Sequence, residues 1–422
     1  CCKKISDLVV KVNGREAGRW AYGYNAFRVD ATPYVKPGRN ILEVDLNNVE
    51  ESSRWYPGGG IYRPVKLIVT PKARINDWEG WFRTDKISSK KATISISAKV
   101  DGIEHTGGFD VKFTLTDADG NTVYEATSYV STGDERATAA GEVANPHLWS
   151  PETPYLYTLT TTLLDDGKQI DKTRQRVGIR TVDVSAKHGF RLNGVSRKIK
   201  GVCLHHDEGP LGAAENKAAF IRQIRIMKEM GCDAIRTAHN MPSTMQMDVC
   251  DSMGVMVMAE SFDMWLYPKC KNGYARFFNE WSDRDITNLI LNHRNHPSII
   301  MWSIGNEIPE QWSEEGRQLC EHLQSLCHKL DPTRPVTQGV DKPDDAVKSG
   351  LLKVIDVPGL NYRLHRYDDT FKQLPQGFML GSETASTVSS RGVYKFPVVA
   401  TNDTTYADGL TIAEAAVAPS GG

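Results

Sequence analysis

Ser298-Ile299-Ile300-Met301-Trp302-Ser303-Ile304-Gly305-Asn306-Glu307 is a short apolar run that ends in a glycine, an amide and a carboxylate. Six further runs of similar length occur in the same half of the chain: Arg197–Leu204, Asp233–Thr237, Val255–Glu260, Pro335–Gly339, Val354–Leu360 and Gly377–Gly381. Between them Phe220, Ile224 and Met227, and again Leu319, Leu323, Leu326 and Leu330, keep the spacing of an amphipathic helix packed on a sheet. Short apolar runs alternating with helical patterns are the signature of β/α units on a parallel sheet. Seven such strands predict a (β/α)8 barrel lacking its last strand, over residues 183–422. Met227, Met230 and Cys327 are then expected to fill its core.

Upstream the pattern differs. Leu8–Val12 is followed by Asn13-Gly14, Asn40–Leu46 by Asn47-Asn48, and Val65–Val69 by Pro71. These read as strands closed by turn residues, and assign residues 1–72 to one sandwich-like unit. A second unit, 73–182, contains Ala92–Val100, Asp110–Thr116 and Leu156–Leu164, the last followed by Asp165-Asp166-Gly167. Its length of about 110 residues suits an immunoglobulin-like β-sandwich. Between the first unit's strands, Ser53–Arg63 is rich in glycine and aromatic residues, which makes it either a tight turn or a packing surface. No eighth barrel strand is evident in the Ala-, Thr- and Gly-rich tail from Val399 to Gly422, and there is no internal repeat.

With 422 residues the chain is long for a single core. Lys and Arg number 51 against 52 for Asp and Glu, and no dense basic block occurs, so nucleic acid and acidic membrane surfaces are poor partners. No apolar run reaches the roughly 18 residues of a membrane span. The eight cysteines show no paired spacing and no metal-ligand spacing, and read as buried thiols. The chain opens on Cys1-Cys2-Lys3-Lys4, so a signal peptide is not judged.

In a barrel of this kind a polar residue just past the C-terminal end of a strand points into the mouth. The fourth strand runs into Gly305-Asn306-Glu307, and the seventh, Phe378-Met379-Leu380-Gly381, into Ser382-Glu383-Thr384. Two carboxyl groups facing one cleft are what glycosidic bond cleavage needs: a proton donor to the leaving oxygen, and a nucleophile or base at the anomeric carbon. Glu307, beside the apolar Trp302 and Ile304, is expected to be partly desolvated and to act as the acid. Glu383 is expected to be the ionised nucleophile, with Arg236 near the end of the second strand as its supporting cation. Taken singly, either glutamate also reads as a helix-cap acid or a surface ion pair.

Ser303–Glu307, Gly381-Ser382-Glu383, Arg236-Thr237-Ala238-His239-Asn240-Met241-Pro242, Gly201-Val202-Cys203-Leu204-His205-His206-Asp207 and Ser53–Arg63 together resemble glycoside hydrolase family 2, whose members include β-galactosidases, β-glucuronidases and β-mannosidases. The resemblance runs from about residue 8 to 396. It implies a partial jelly-roll β-sandwich that binds sugar, an immunoglobulin-like β-sandwich and a catalytic TIM barrel. It also implies Glu307 as acid/base, Glu383 as nucleophile, and hydrolysis with retention. Asn306 would bond the sugar 2-hydroxyl, Asp207 and His239 other hydroxyls, and Tyr362 would lie close to the nucleophile. Trp265 reads equally as a sugar-stacking wall or as core packing. His205-His206 lacks a third ligand for a metal.

Three departures from the family pattern matter. The first sandwich lacks its opening strands and the barrel its closing strand, so the chain is expected to be truncated at both ends. Ala259-Glu260-Ser261-Phe262-Asp263-Met264 carries Met264 where magnesium-dependent members carry a carboxylate, so no metal and no cofactor are expected. The wording of 205–214, 308–311 and 381–386 is most similar to bacterial β-galactosidases, which implies exo-acting hydrolysis of terminal β-D-galactosides. A β-glucuronidase, a β-mannosidase, an endo-acting hydrolase and a sugar-binding chain without turnover are the alternatives. The expected partner is a carbohydrate. A homo-oligomer, and a periplasmic or cytoplasmic location in a bacterium, stay open.

Overall fold

A computed structural model describes residues 6–54, 59–104 and 107–385. The chain starts with an antiparallel sheet of β1 (Ser6–Val12), β2 (Arg15–Tyr22) and β3 (Leu42–Asn47) in the order β2-β1-β3. Asn13 and Gly14 both have positive φ, 53° and 79°, which is the two-residue turn that lets β1 and β2 twist together. Val65–Val69, expected as a strand, is not one. A strand needs a paired backbone, no ladder among the described residues takes this segment up, and Val65, Leu67, Ile68 and Val69 are exposed.

The second unit is a two-sheet antiparallel sandwich. One sheet has β6 (Lys91–Asp101) at its centre, paired with β4 (Arg74–Ile75), β5 (Trp81–Ile87) and β9 (Arg136–Ala144). The other runs β11-β10-β7-β8, from β7 (Gly108–Thr116), β8 (Thr122–Ser131), β10 (Tyr157–Asp165) and β11 (Lys168–Val177). Alternate residues of each strand point inward, so Ile94, Ile96 and Val100 of one sheet meet Val111, Phe113, Leu115 and Leu163 of the other. The β10–β11 turn is again a two-residue one, Asp166-Gly167, at φ 44° and 80°.

A small meander of β12 (Val182–Ser185), β13 (Gly189–Leu192) and β14 (Val195–Ser196) then forms a floor. Its Phe190 and Leu192 cluster with Ala234, Met256, Ile300 and Val357 near the N-terminal ends of the barrel strands. The barrel strands are β15 (Gly201–Leu204), β16 (Ala234–Thr237), β17 (Met256–Glu260), β18 (Ile299–Asn306), β19 (Val336–Val340), β20 (Val357–Asn361) and β21 (Leu380–Glu383), each parallel to the next. Every residue of β16 to β20 is buried, because helices cover one face and side chains fill the other. The edge strands β15 and β21 are only partly buried, yet the Cys203 thiol donates to the Ser382 carbonyl at 3.2 Å, so seven strands nearly close the ring. The main covering helices are α1 (Lys217–Glu229), α2 (Thr244–Met253), α3 (Phe278–His293) and α4 (Glu314–Leu330). Met230 departs from expectation: it follows the last turn of α1 and is 62% exposed.

The first sheet docks on the barrel through Asp285 of α3, which accepts from Trp20 Nε1 at 2.8 Å, from Asn25 and from Tyr274. Tyr22 and Tyr24 join the barrel's outer core, and Arg63 Nη2 donates to the Met241 carbonyl at 2.8 Å.

Candidate active site

β18 runs two residues beyond the apolar stretch that ends at Ile304, and so ends on Asn306. Glu307 then turns away at φ 44° while its N–H still bonds the Gly339 carbonyl of β19 at 2.7 Å. After β20, Tyr362 also takes positive φ, 53°, with its N–H on the Glu383 carbonyl at 2.5 Å. Non-glycine residues rarely sit there, and such conformations persist where the surroundings over-determine them. Gly339 makes room for the cluster: a Cβ on it would lie 2.8 Å from both Arg236 Nη2 and Asn361 Oδ1.

Arg236 of β16 is the hub. Its Nε donates to Glu260 Oε2 at 2.8 Å, its Nη1 to Glu383 Oε2 at 3.0 Å and its Nη2 to Asn306 Oδ1 at 2.8 Å. Burial opposes its charge, but Glu260 and Glu383 outweigh that and hold the guanidinium above its ordinary value. Glu260, fully buried, would be neutral by desolvation alone. Arg236, His239 Nδ1 at 2.6 Å and the Ser303 hydroxyl at 2.6 Å keep it below the usual carboxylate range. His239 thereby turns its other nitrogen toward the mouth, 3.9 Å from Glu383 Oε2.

Glu383 also receives the Tyr362 hydroxyl on Oε1 at 2.5 Å. Asn361 Nδ2 bridges the two carboxylates, 3.0 Å from Glu307 Oε1 and 3.4 Å from Glu383 Oε2. On the far side of Glu307 stand two cations, Arg54 Nη2 at 3.9 Å and Lys269 Nζ at 4.0 Å. Both bind Asp263: Arg54 as a two-pronged pair at 2.9 and 2.7 Å, Lys269 at 3.0 Å. Burial would raise the Asp263 carboxyl, but Arg54 and Lys269 hold it far below the usual range. Asp263 Oδ1 in turn accepts from Asn306 Nδ2 at 3.0 Å. Asn306 is thus fixed in one amide orientation, its oxygen on Arg236 and its nitrogen on Asp263.

The fold therefore brings together Glu307, Glu383, Arg236, Asn306, His239 and Tyr362. Asp207 is half-buried on the loop after β15, where its Oδ1 accepts from Gly209 N–H. Trp265 is core: fully buried, donating from Nε1 to the Ile304 carbonyl at 2.9 Å and stacked near Phe278, with no ring face left open for a sugar. The expected apolar flank of Glu307 also needs correction. Trp302 points outward to Asp331, to which its Nε1 donates at 3.0 Å, because alternate residues of a strand face opposite sides. His206 bonds the Ala213 carbonyl at 3.1 Å and packs edge-on against Tyr62.

Glu260, Asp263, Asn361, Arg54 and Lys269 were not picked out from the sequence. Glu260 and Asn361 end β17 and β20, so the strand-end rule already contained them. Arg54 lies in the Ser53–Arg63 stretch that carries part of the resemblance, but nothing local ties it to its partner Asp263, 209 residues away.

Comparison with known proteins identifies the family. The family model "Glycosyl hydrolases family 2" matches residues 73–180, and "Glycosyl hydrolases family 2, TIM barrel domain" matches 182–370. The chain is 39% identical to the β-galactosidase BoGH2A of Bacteroides ovatus, over 92% of this chain and 50% of that protein. It is 28% identical to a β-glucuronidase of Bacteroides fragilis, over 97% of this chain and 58% of the relative. A crystal structure of a glycosyl hydrolase family 2 member from Bacteroides cellulosilyticus matches with a TM-score of 0.87 at 36% identity, covering 92% of this chain and 50% of that one. The chain spans about half the length of the curated β-galactosidase it matches. With two adjoining family models covering the sandwich and most of the barrel, the chain belongs to glycosyl hydrolases family 2.

Proposed function

We propose that this chain carries the catalytic centre of a retaining exo-β-glycosidase acting on terminal β-D-galactosides. The carrying observation is the Asn361 bridge: Glu307 Oε1 and Glu383 Oε2 stand no farther apart than bonds of 3.0 and 3.4 Å laid end to end. Inverting enzymes hold their carboxyl groups about 6.5–9.5 Å apart to seat a water, retaining ones about 5–5.5 Å. The bridge favours the second.

In the first step Glu307 gives its proton to the glycosidic oxygen as a Glu383 oxygen attacks the anomeric carbon. The carbon–oxygen bond to the aglycone breaks and a glycosyl ester forms. In the second, Glu307 takes a proton from water, the water oxygen attacks the same carbon, and Glu383 leaves as carboxylate. Arg236 and Tyr362 orient Glu383 and offset the negative charge it carries before attack and after release. Asn306, held by Arg236 and Asp263, is the donor for the sugar 2-hydroxyl, and His239 presents a nitrogen to a further hydroxyl.

The galactoside reading rests on the resemblance and on the named relative from Bacteroides ovatus. The test is release of nitrophenol from β-galactoside, β-glucuronide, β-mannoside and β-glucoside, with Glu383→Ala as the blank. Selective release from the galactoside, abolished in the variant, is expected. Preference for the glucuronide would transfer the reading to a β-glucuronidase, and a variant keeping more than a tenth of the rate would remove Glu383 as nucleophile.

A further inference from the structure

The sandwich meets the lower end of the barrel through Asn295, whose Oδ1 accepts from Phe82 N–H at 2.8 Å and whose Nδ2 donates to the Gly80 carbonyl at 2.9 Å. Beside this clamp lies a cavity of about 20 Å³ bordered by Thr84, Gly178, Arg180, Arg294, Pro297 and Arg334. The three arginines are only 6%, 6% and 3% exposed. Carbonyls supply most of their partners. Arg180 donates to Pro297 O at 3.0 Å and Ile299 O at 2.9 Å, and Arg294 Nη1 to Leu330 O at 3.3 Å.

Of the three, Arg334 is the one paired with a buried acid, Asp331 at 2.5 Å. That carboxylate is further engaged by Trp302 Nε1 and the Thr333 hydroxyl. Of the other acids nearby, Asp251 is buried and spent on His296 Nδ1 at 2.6 Å and the Ser298 N–H at 3.0 Å, and Glu79 and Asp85 sit toward the surface on Arg136 and Arg83, each at 2.5 Å. Arg294 lies over the Trp81 ring, 5.0 Å from its centroid, and its Nε and Nη2 are buried and meet no acceptor among the described residues. Burial holds both Arg180 and Arg294 below their ordinary values, Arg294 at about 10, and outweighs the more distant acids, Asp331 and Asp251 for Arg180, Glu79 and Asp331 for Arg294. Among the described residues neither Arg180 nor Arg294 makes an ion pair, and Arg294 keeps two buried donors without an acceptor, an arrangement that favours a bound anion.

We infer that this cavity is an anion site for one halide-sized ion, received by Arg294 Nε and Nη2 beside the Arg180 charge, which ties the sandwich to the barrel. The volume sets the class of ligand. A single water needs about 10–15 Å³ of such space, so about 20 Å³ admits one particle of that order and excludes phosphate, sulfate or a carboxylate ligand.

Two measurements on the unaltered chain test this. Crystals grown in sodium bromide should show an anomalous peak in the cavity beside Arg294; water density without anomalous signal would overturn the assignment. In solution, replacing gluconate by chloride at fixed ionic strength should lower the unfolding equilibrium constant along a saturating curve, about tenfold once chloride is some tenfold above its Kd. An identical response to both anions would equally overturn it. Arg294→Gln should abolish the halide dependence, and persistence of the full dependence in that variant would remove Arg294 as the receptor. Should the variant fail to fold, the bromide map and the chloride titration still decide.

Discussion

Glu383 receives donors on both oxygens, and the Tyr362 hydroxyl is the one whose removal changes least else. Tyr362→Phe keeps the ring and loses a hydrogen bond to a carboxylate worth about 1.5–3 kcal/mol, so kcat should fall by about 10- to 100-fold while KM moves less. Steady-state kinetics with both constants checks this, and an unchanged kcat would mean that Tyr362 serves the fold alone. Glu307→Ala should lose about 10²–10⁴ in rate, the usual worth of a general acid. Azide should restore part of that on an activated substrate, and no rescue counts against the acid/base role. Arg54 bonds Asp263, which in turn accepts from Asn306, so its predicted role is to position Asn306. Because a two-pronged contact needs the planar fork, Arg54→Lys should recover little of the kcat lost in Arg54→Ala; full recovery by lysine would show that charge alone matters.

Strand ends are where the apolar pattern was least informative. Backbone pairing carries β18 through Gly305 to Asn306, whereas hydropathy alone stops it at Ile304. The opposite error occurs at β20, whose expected start at Val354 is taken by a short helix, Leu351–Val354, so that the strand begins at Val357. The interior of these strands was legible, because a segment buried on both faces must be continuously apolar. Gly339 looked like an ordinary strand end. The methyl group added by Gly339→Ala would meet Arg236 and Asn361, and overpacking of this kind costs about 1–3 kcal/mol. We expect activity to collapse while the chain still unfolds cooperatively by circular dichroism; full activity would show that the cluster can relax.

Contacts between the units add a pH dependence of their own. Asp285 of α3, which takes the first sheet's Trp20 and Asn25, is pushed up to about 7 by burial, which outweighs the hydrogen bonds from Tyr274, Trp20 and Asn25. Unfolded, it would titrate near about 3.9. Between those values the folded chain binds the extra proton, so stability from this group is complete below about pH 4 and is lost as pH rises through about 7, by at most about 1.4 kcal/mol per unit. Asp285→Asn should flatten that part of the stability–pH curve relative to the parent chain, and parallel curves would remove Asp285 as its source. The order of β-rich units and barrel, the seven strands and the two glutamates at matching strand ends could all be read along the chain, since each is a matter of local period or of position relative to a strand. The exposed state of Val65–Val69, the inward burial of Trp265, the outward turn of Trp302 and the arrival of Arg54 beside Glu307 could not. Each depends on which distant surface the segment meets, and a hydrophobic or charged residue carries no record of its partner until the chain has folded around it.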